Sequence, residues 1–338
     1  MISLKKATVS AASLAAGVGL IATLLHKTGV DATMLAETLR RTDMFWASAV
    51  LLSTFLNLWL SAYKWKRVLR RLGERKRIPY MAYTSLGAVL GNFVPAQIAI
   101  STARGLGAKL GQRVSATKAL GSSMLDQMYD LLPPICAFFL AIPIMHGSLD
   151  FTSGTLIFIG ILAIAFVTLS LFQKRLIDIV VVTLYRLRSI THRFRKKDGA
   201  PSLTQVDSTQ LNLREGLSLS ALTFLRYANL FLRVYLVTLA VGIPLDLHVL
   251  FWAFPVVQLS MLVGITPGGA GIMEAGWIGV LSLFHVPTDA SLLVALSLRL
   301  LALGCQIIIA SSAWILLFSK KRRQHEMPPH PPLQRTKD

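Results

Sequence analysis

The apolar positions of this chain come in long uninterrupted blocks, not in strand-like alternation. The blocks are residues 7–25, 45–63, 80–103, 119–143, 154–172, 216–242, 249–284 and 290–318. A helix of about 20 apolar residues spans the ~30 Å hydrocarbon core of a bilayer. The pattern therefore predicts an all-α, polytopic helical membrane protein with about six full spans. Two blocks are broken in the middle. Residues 80–103 carry Gly87, Gly91, Asn92 and Pro95, and residues 249–284 contain Thr266-Pro267-Gly268-Gly269-Ala270-Gly271-Ile272-Met273-Glu274. Proline lacks the amide donor and each glycine costs about 1 kcal/mol of helix stability, so a helix does not run through either break. In lipid, the freed backbone groups need partners in protein or in a water-filled cavity. Each broken block is thus predicted to be a re-entrant hairpin that enters and leaves on one side, with Asn92, Pro95 and Pro267 at the breaks.

Charge fixes the orientation. The chain has 35 Lys and Arg against 16 Asp and Glu, a net charge of +19. In a soluble protein that balance would suggest nucleic acid. Here the cations gather between the apolar blocks: Lys64, Lys66, Arg67, Arg70, Arg71, Arg75, Lys76 and Arg77 after the second, then Arg104, Lys109, Arg113 and Lys118, then the stretch 173–214, then Lys320-Lys321-Arg322-Arg323. By the positive-inside rule these segments and both termini are cytoplasmic. Topology accounts for the charge, and no nucleic-acid role is expected. Trp46, Trp59 and Trp65 near the ends of the second span read as interfacial anchors. Residues 26–44 read either as an amphipathic helix on the outer surface or as an ordinary loop helix. The stretch 173–214 reads as the one long polar insertion, with a mobile tip at Asp198-Gly199-Ala200-Pro201-Ser202.

The resulting order is the same in both halves, one turned over relative to the other. This gives a transmembrane domain over 1–319 with halves of about 1–147 and 150–319, followed by a basic, Pro-rich tail, 320–338, expected to be disordered. Interrupted helices at matching places in inverted halves are the sequence signature of a transporter site near the bilayer midplane.

Ionisable groups inside spans are costly and are functional candidates by default. Arg226, Asn229 and Arg233 lie three and four residues apart on one helix face, with the arginines roughly 10 Å apart along the axis. They form either a donor track for an anionic lipid headgroup or partners of buried carboxylates. The carboxylates available are Asp126, Asp130 and Glu274; Arg299 is placed to reach Glu274, and Arg104 is a further near-interior cation. Gly268, Gly269 and Gly271 offer free amides at a helix start, which attract anions. Glu274 would cap those amides, hold Arg299 or couple protons. Asn92 would bind freed backbone groups. Cys136 and Cys305 read as packing residues. No His pair stands at ligand spacing, no nucleophile elbow or diphosphate–metal carboxylate motif occurs, and the expectation is a non-enzyme with neither metal nor cofactor.

Three stretches together resemble a known family. Gly91-Asn92-Phe93-Val94-Pro95 followed by Arg104, Ser123-Met124-Leu125-Asp126-Gln127-Met128-Tyr129-Asp130-Leu131-Leu132, and Thr266 through Glu274 are similar to the transmembrane region of lysylphosphatidylglycerol synthases and their stand-alone flippase-like relatives. The resemblance covers roughly residues 5 to 320, and the chain departs from the family pattern at Asp126-Gln127 and Gln97-Ile98. It implies lipid handling in a bacterial or archaeal cytoplasmic membrane: flippase-like movement of an anionic or modified headgroup, on an aminoacylated phospholipid or on a glycolipid, polyprenyl or hopanoid lipid. The alternative is a membrane-embedded accessory or transferase protein in the synthesis of such lipids. The expected partners are membrane lipids, with a homo-oligomer left open. No aminoacyltransferase domain is expected in this chain.

Overall fold

The computed structural model describes residues 17–71, 78–112, 116–145, 150–193, 212–260 and 266–326, and these form helices and turns without a strand. Helix α1 is seen from 17 to 28. It is followed by α2 (Ala32–Arg40), α3 (Met44–Arg71), α4 (Tyr80–Leu90), α5 (Ala96–Gln112), α6 (Ala116–Met145), α7 (Phe151–Arg193), α8 (Leu213–Ala240), α9 (Leu247–Ser260), a 3-10 turn (Pro267–Gly269), α10 (Ile272–Ser282) and α11 (Thr288–Glu326). Within α3, α6, α7, α8 and α11 lie five stretches long and apolar enough to cross a membrane. Most of the predicted first span, and the loop tip at 198–202, lie outside the described residues.

Local chemistry sets the ends of these helices. Asp31 accepts the Met34 amide at 2.7 Å to start α2, and Asn212 accepts the Glu215 amide at 3.1 Å to start α8. Side-chain oxygens at this position replace a hydrogen bond the first turn lacks. The two broken blocks resolve into hairpins. In the first, α4 turns at Gly91 to Pro95 into α5. In the second, α9 and α10, of 14 and 11 residues, flank the Pro267–Gly269 turn. Neither α9 nor α10 is long enough to span a bilayer alone.

The two halves pack by the same scheme. In the first half α5 lies on α6, and in the second α10 lies on α11. Between the halves, α6 packs on α9 and α11 packs on α4, so exchanging the halves maps these contacts onto each other. At the centre α3 and α8 run antiparallel along their whole length. Asp43 donates its amide to Ala240 at 2.8 Å at one end, and Arg67 meets Glu215 at 2.8 Å at the other. Ser53 and Asn229, and Asn57 and Arg226, pair between these ends.

Several expectations are corrected. The stretch 173–214 is not all loop, because α7 continues without interruption to Arg193 and residues 173–193 are helical. The chain beyond 319 is helical to Glu326, and residues 327–338 lie outside the described residues. Trp65 does not anchor at an interface. It is wholly buried, donates to Ser122 Oγ at 3.0 Å and lies under the Arg104 guanidinium, 5.1 Å away. Trp59 does face outward and stacks on Tyr63. In α2, Leu35 packs with Val30 against Leu292, Leu293 and Leu296 of α11, so this helix docks on protein. Cys136 and Cys305 are buried in the two largest apolar clusters.

Candidate functional site

The tips of the two hairpins meet. A side-chain carbon on Gly268, whose φ is +59°, would fall 2.4 Å from the Asn92 carbonyl oxygen, so only glycine lets the backbones approach this closely. Asn92 Nδ2 closes its own break by donating to the Ala88 carbonyl at 3.0 Å and the Val89 carbonyl at 3.2 Å, and it reaches Gln306 Oε1 at 2.8 Å on α11. The second break is closed by Glu274. This wholly buried carboxylate accepts the Gly271 amide at 2.7 Å and the Arg299 Nε at 2.6 Å, while Arg299 also donates to the Gly268 carbonyl at 3.2 Å. Glu274 thus caps α10 and holds Arg299 at the same time.

Beside the meeting point lies a cavity of ≈ 310 Å³ lined by residues of both hairpins and of α3, α6, α8 and α11. Of the candidate residues, Arg226, Arg233, Arg299, Asp130, Gly268, Gly269, Asn92 and Pro95 line it. Others do not. Asn229 was expected to meet the headgroup, yet it is buried between α8 and α3, exchanging hydrogen bonds with Ser53 at 2.9 and 3.1 Å. Gly271 packs on Leu20 of α1, where a side-chain carbon would come within 2.7 Å, and its amide is taken by Glu274. Pro267 opens the 3-10 turn. Asp126, Arg104 and Glu274 stand behind the lining.

The cations of the site differ in what they hold. Arg104 is wholly buried and donates to Asp126 at 2.8 Å and to the Ser61 hydroxyl and carbonyl at 2.8 and 3.1 Å. Asp126 and Asp130 share Lys64, whose Nζ lies 3.0 and 2.5 Å from their oxygens. Arg226 pairs with Asp130 and donates to Asn57 at 2.9 Å. Five cations, Lys64, Arg104, Arg226, Arg233 and Arg299, thus meet three carboxylates, Asp126, Asp130 and Glu274, leaving the site net positive. Among the described residues Arg233 alone of the five has no carboxylate partner. It lines the cavity, as does Thr266, whose buried hydroxyl has no hydrogen-bond partner among the described residues.

The ion pairs follow the same exchange of halves as the helices, with their signs reversed. An arginine on α5 meets a carboxylate on α6, and a carboxylate on α10 meets an arginine on α11. In each half one buried ion pair ties the returning arm of the hairpin to the next helix.

Sequence reasoning placed Lys64 among the loop cations, but it is wholly buried and central. A signal for it was present. Ser53, Asn57, Ser61 and Lys64 are spaced four, four and three apart, a polar stripe on one face of an apolar helix. Of the glutamines of the cavity, Gln97 and Gln127 were noted only as departures from the family pattern, and Gln258 and Gln306 were passed over. Gln258 and Gln306 each lie alone in an apolar stretch of sequence, and only the fold brings the four together.

An all-helical bundle of long spans, with two broken hairpins meeting at a charged cavity, defines a multi-pass integral membrane protein. The family of the lysylphosphatidylglycerol synthase TM region matches residues 10–310, and the chain belongs to it. Membership places the protein among membrane proteins concerned with lipid handling. No curated protein matches the chain.

Proposed function

We propose that this protein moves lipid headgroups between the leaflets of a cytoplasmic membrane, without making or breaking bonds in them, and that its basic segments and both termini face the cytoplasm. One observation carries the proposal: the hairpin tips meet beside a net-positive cavity built from both halves, with Arg226, Arg233 and Arg299 on its wall. A headgroup has to leave water to cross. A cavity of fixed donors beside two helix breaks replaces its hydration, and the acyl chains stay in lipid. Arginine suits a phosphate because its planar fork donates two parallel hydrogen bonds. Arg233 is the residue free to do this, while Arg226 and Arg299 are held by Asp130 and Glu274 and supply positive field.

The test is headgroup accessibility in vesicles carrying a fluorescent phospholipid that an impermeant reductant bleaches from outside. Wild-type protein is expected to expose the inner-leaflet pool. Arg233→Gln is expected to slow that exposure tenfold or more, without altering reconstitution. Equal rates for the two proteins would overturn the assignment of Arg233, and no exposure by wild type above protein-free vesicles would overturn the transport reading. A chemically altered lipid formed in detergent solution, where no leaflets exist, would favour a transferase instead.

A further inference from the structure

Six side-chain carboxamides line the cavity: Asn57, Asn92, Gln97, Gln127, Gln258 and Gln306. Three arginines and one carboxylate line it with them, and Trp277 is the one aromatic ring among the lining residues. Most of the carboxamides have hydrogen-bonding capacity to spare. Among the described residues the side chains of Gln97 and Gln258 have no protein partner, and Gln306 has committed only its oxygen, to Asn92. Each carboxamide offers two donors and an acceptor and no charge. That is the complement of a hydroxyl, which also donates and accepts.

We infer that the cavity takes a phosphate joined to a small, uncharged polyhydroxyl group, a phosphoglycerol or a phosphorylated monosaccharide, and excludes headgroups bearing an ammonium. The inference rests on the proposed transport reading and narrows it. Three features exclude an ammonium. Asp130, the one lining carboxylate, is already held by Lys64 and Arg226. The site carries more cations than carboxylates. A quaternary ammonium is bound by a cage of several aromatic rings, and only Trp277 is present. Arg233 and Thr266, a residue 4% exposed whose hydroxyl has no hydrogen-bond partner among the described residues, are the groups left for the phosphate. Size fits such a group: at about 30 Å³ per water, ≈ 310 Å³ holds on the order of ten waters, room for a glycerol or one sugar ring.

The experiment is lipid retention by the full chain, delipidated in detergent, offered an equimolar mixture with identical acyl chains and read by native mass spectrometry. The mixture contains phosphatidylglycerol, phosphatidylinositol, phosphatidic acid, phosphatidylcholine and lysylphosphatidylglycerol. Phosphatidylglycerol or phosphatidylinositol is expected at ten times or more the level of phosphatidylcholine and lysylphosphatidylglycerol, and their ratio tells a glycerol from a ring. Gln258→Leu combined with Gln306→Leu is expected to bring both down to the level of phosphatidic acid. Gln258→Glu combined with Gln306→Glu is expected to raise lysylphosphatidylglycerol at least fivefold, a gain that misfolding does not produce. Equal retention of lysylphosphatidylglycerol and phosphatidylglycerol by wild type, retention of phosphatidic acid equal to both polyols, or unchanged selectivity in both double variants would each overturn the inference. Selective retention without headgroup exposure in vesicles would remove the transport reading and leave this one standing; exposure of every headgroup class alike would do the reverse.

Discussion

Asp126 and Asp130 are one helical turn apart and both meet Lys64, yet replacing each by asparagine is expected to have different consequences. Asp126 is 1% exposed and, among the described residues, is the one carboxylate paired with Arg104, which is wholly buried. In Asp126→Asn that guanidinium keeps only neutral partners: the Ser61 carbonyl and hydroxyl, Thr84 at 3.3 Å and Ser123 at 3.4 Å. Breaking a fully buried pair from one side costs about 3–5 kcal/mol, because a charge is left uncompensated. Asp130 is 20% exposed and its partner Arg226 16% exposed, both on the cavity wall. In Asp130→Asn, Lys64 retains Asp126 and Arg226 retains Asn57, and with partial solvation the loss falls to about 1–2 kcal/mol. Equilibrium unfolding in mixed detergent and sodium dodecyl sulfate, followed by tryptophan fluorescence, reads the difference. Arg104→Met combined with Asp126→Leu is expected to recover most of the loss of Asp126→Asn, since an apolar replacement of a buried pair leaves no orphan charge. Equal losses in the two asparagine variants, or a double variant no better than the single one, would refute the electrostatic reasoning.

Other outcomes follow from the same geometry. Gly268→Ala is expected to destabilise the protein more than Gly29→Ala in the same unfolding assay. Both glycines have positive φ, but only the side chain at 268 would strike a backbone, that of Asn92, while nothing lies within 4 Å at 29. Asn229→Leu, which removes the side-chain amide from the Ser53 carbonyl and leaves the Ser53 hydroxyl only the backbone carbonyl of residue 229 at 3.3 Å, is expected to lose about 1–3 kcal/mol. Asp31 caps α2, and its hydrogen bonds from the Thr33 hydroxyl and the Met34 amide hold its carboxyl below the ordinary aspartate range. Because that pKa is depressed on folding, the cap is intact at neutral pH and is lost as pH falls through the folded value. Hydrogen exchange at Met34 is expected to accelerate there, beyond its intrinsic pH trend, and not to do so in Asp31→Asn.

The apolar blocks and their two breaks were legible in the sequence because bilayer thickness sets helix length and because each break combines proline with nearby glycine, whereas Pro133, Pro134 and Pro143, with no glycine beside them, leave α6 continuous. The pairing of Arg299 with Glu274 was legible for a related reason, that ionised groups are rare inside spans and must find each other. Lys64 was not, because a cation at the basic end of a helix looks the same to the positive-inside rule whether it points to water or inward; only the stripe of Ser53, Asn57 and Ser61 leads to it. The extension of α7 to Arg193 was missed because a helix that outlasts its apolar stretch has no proline or glycine there to stop it. Asn229 shows a limit of another kind. Helical spacing put it on the same face as Arg226 and Arg233, but that face is wide enough for one residue to meet α3 while its neighbours line the cavity.

The antiparallel pairing of α3 and α8 also makes the two ends of the molecule unequal. The two fastenings lie far apart, since from Asn57 near the middle of α3 to Arg67 near one end is ten residues, about 15 Å of helix. One extremity is fastened by Arg67 and Arg71 clasping Glu215. Both arginines are part-exposed there, so dissolved ions weaken the clasp. The other is fastened by a backbone bond between Asp43 and Ala240, to which ionic strength is largely indifferent. The Glu215 end of the helix pair is therefore sensitive to salt in a way that the Asp43 end is not.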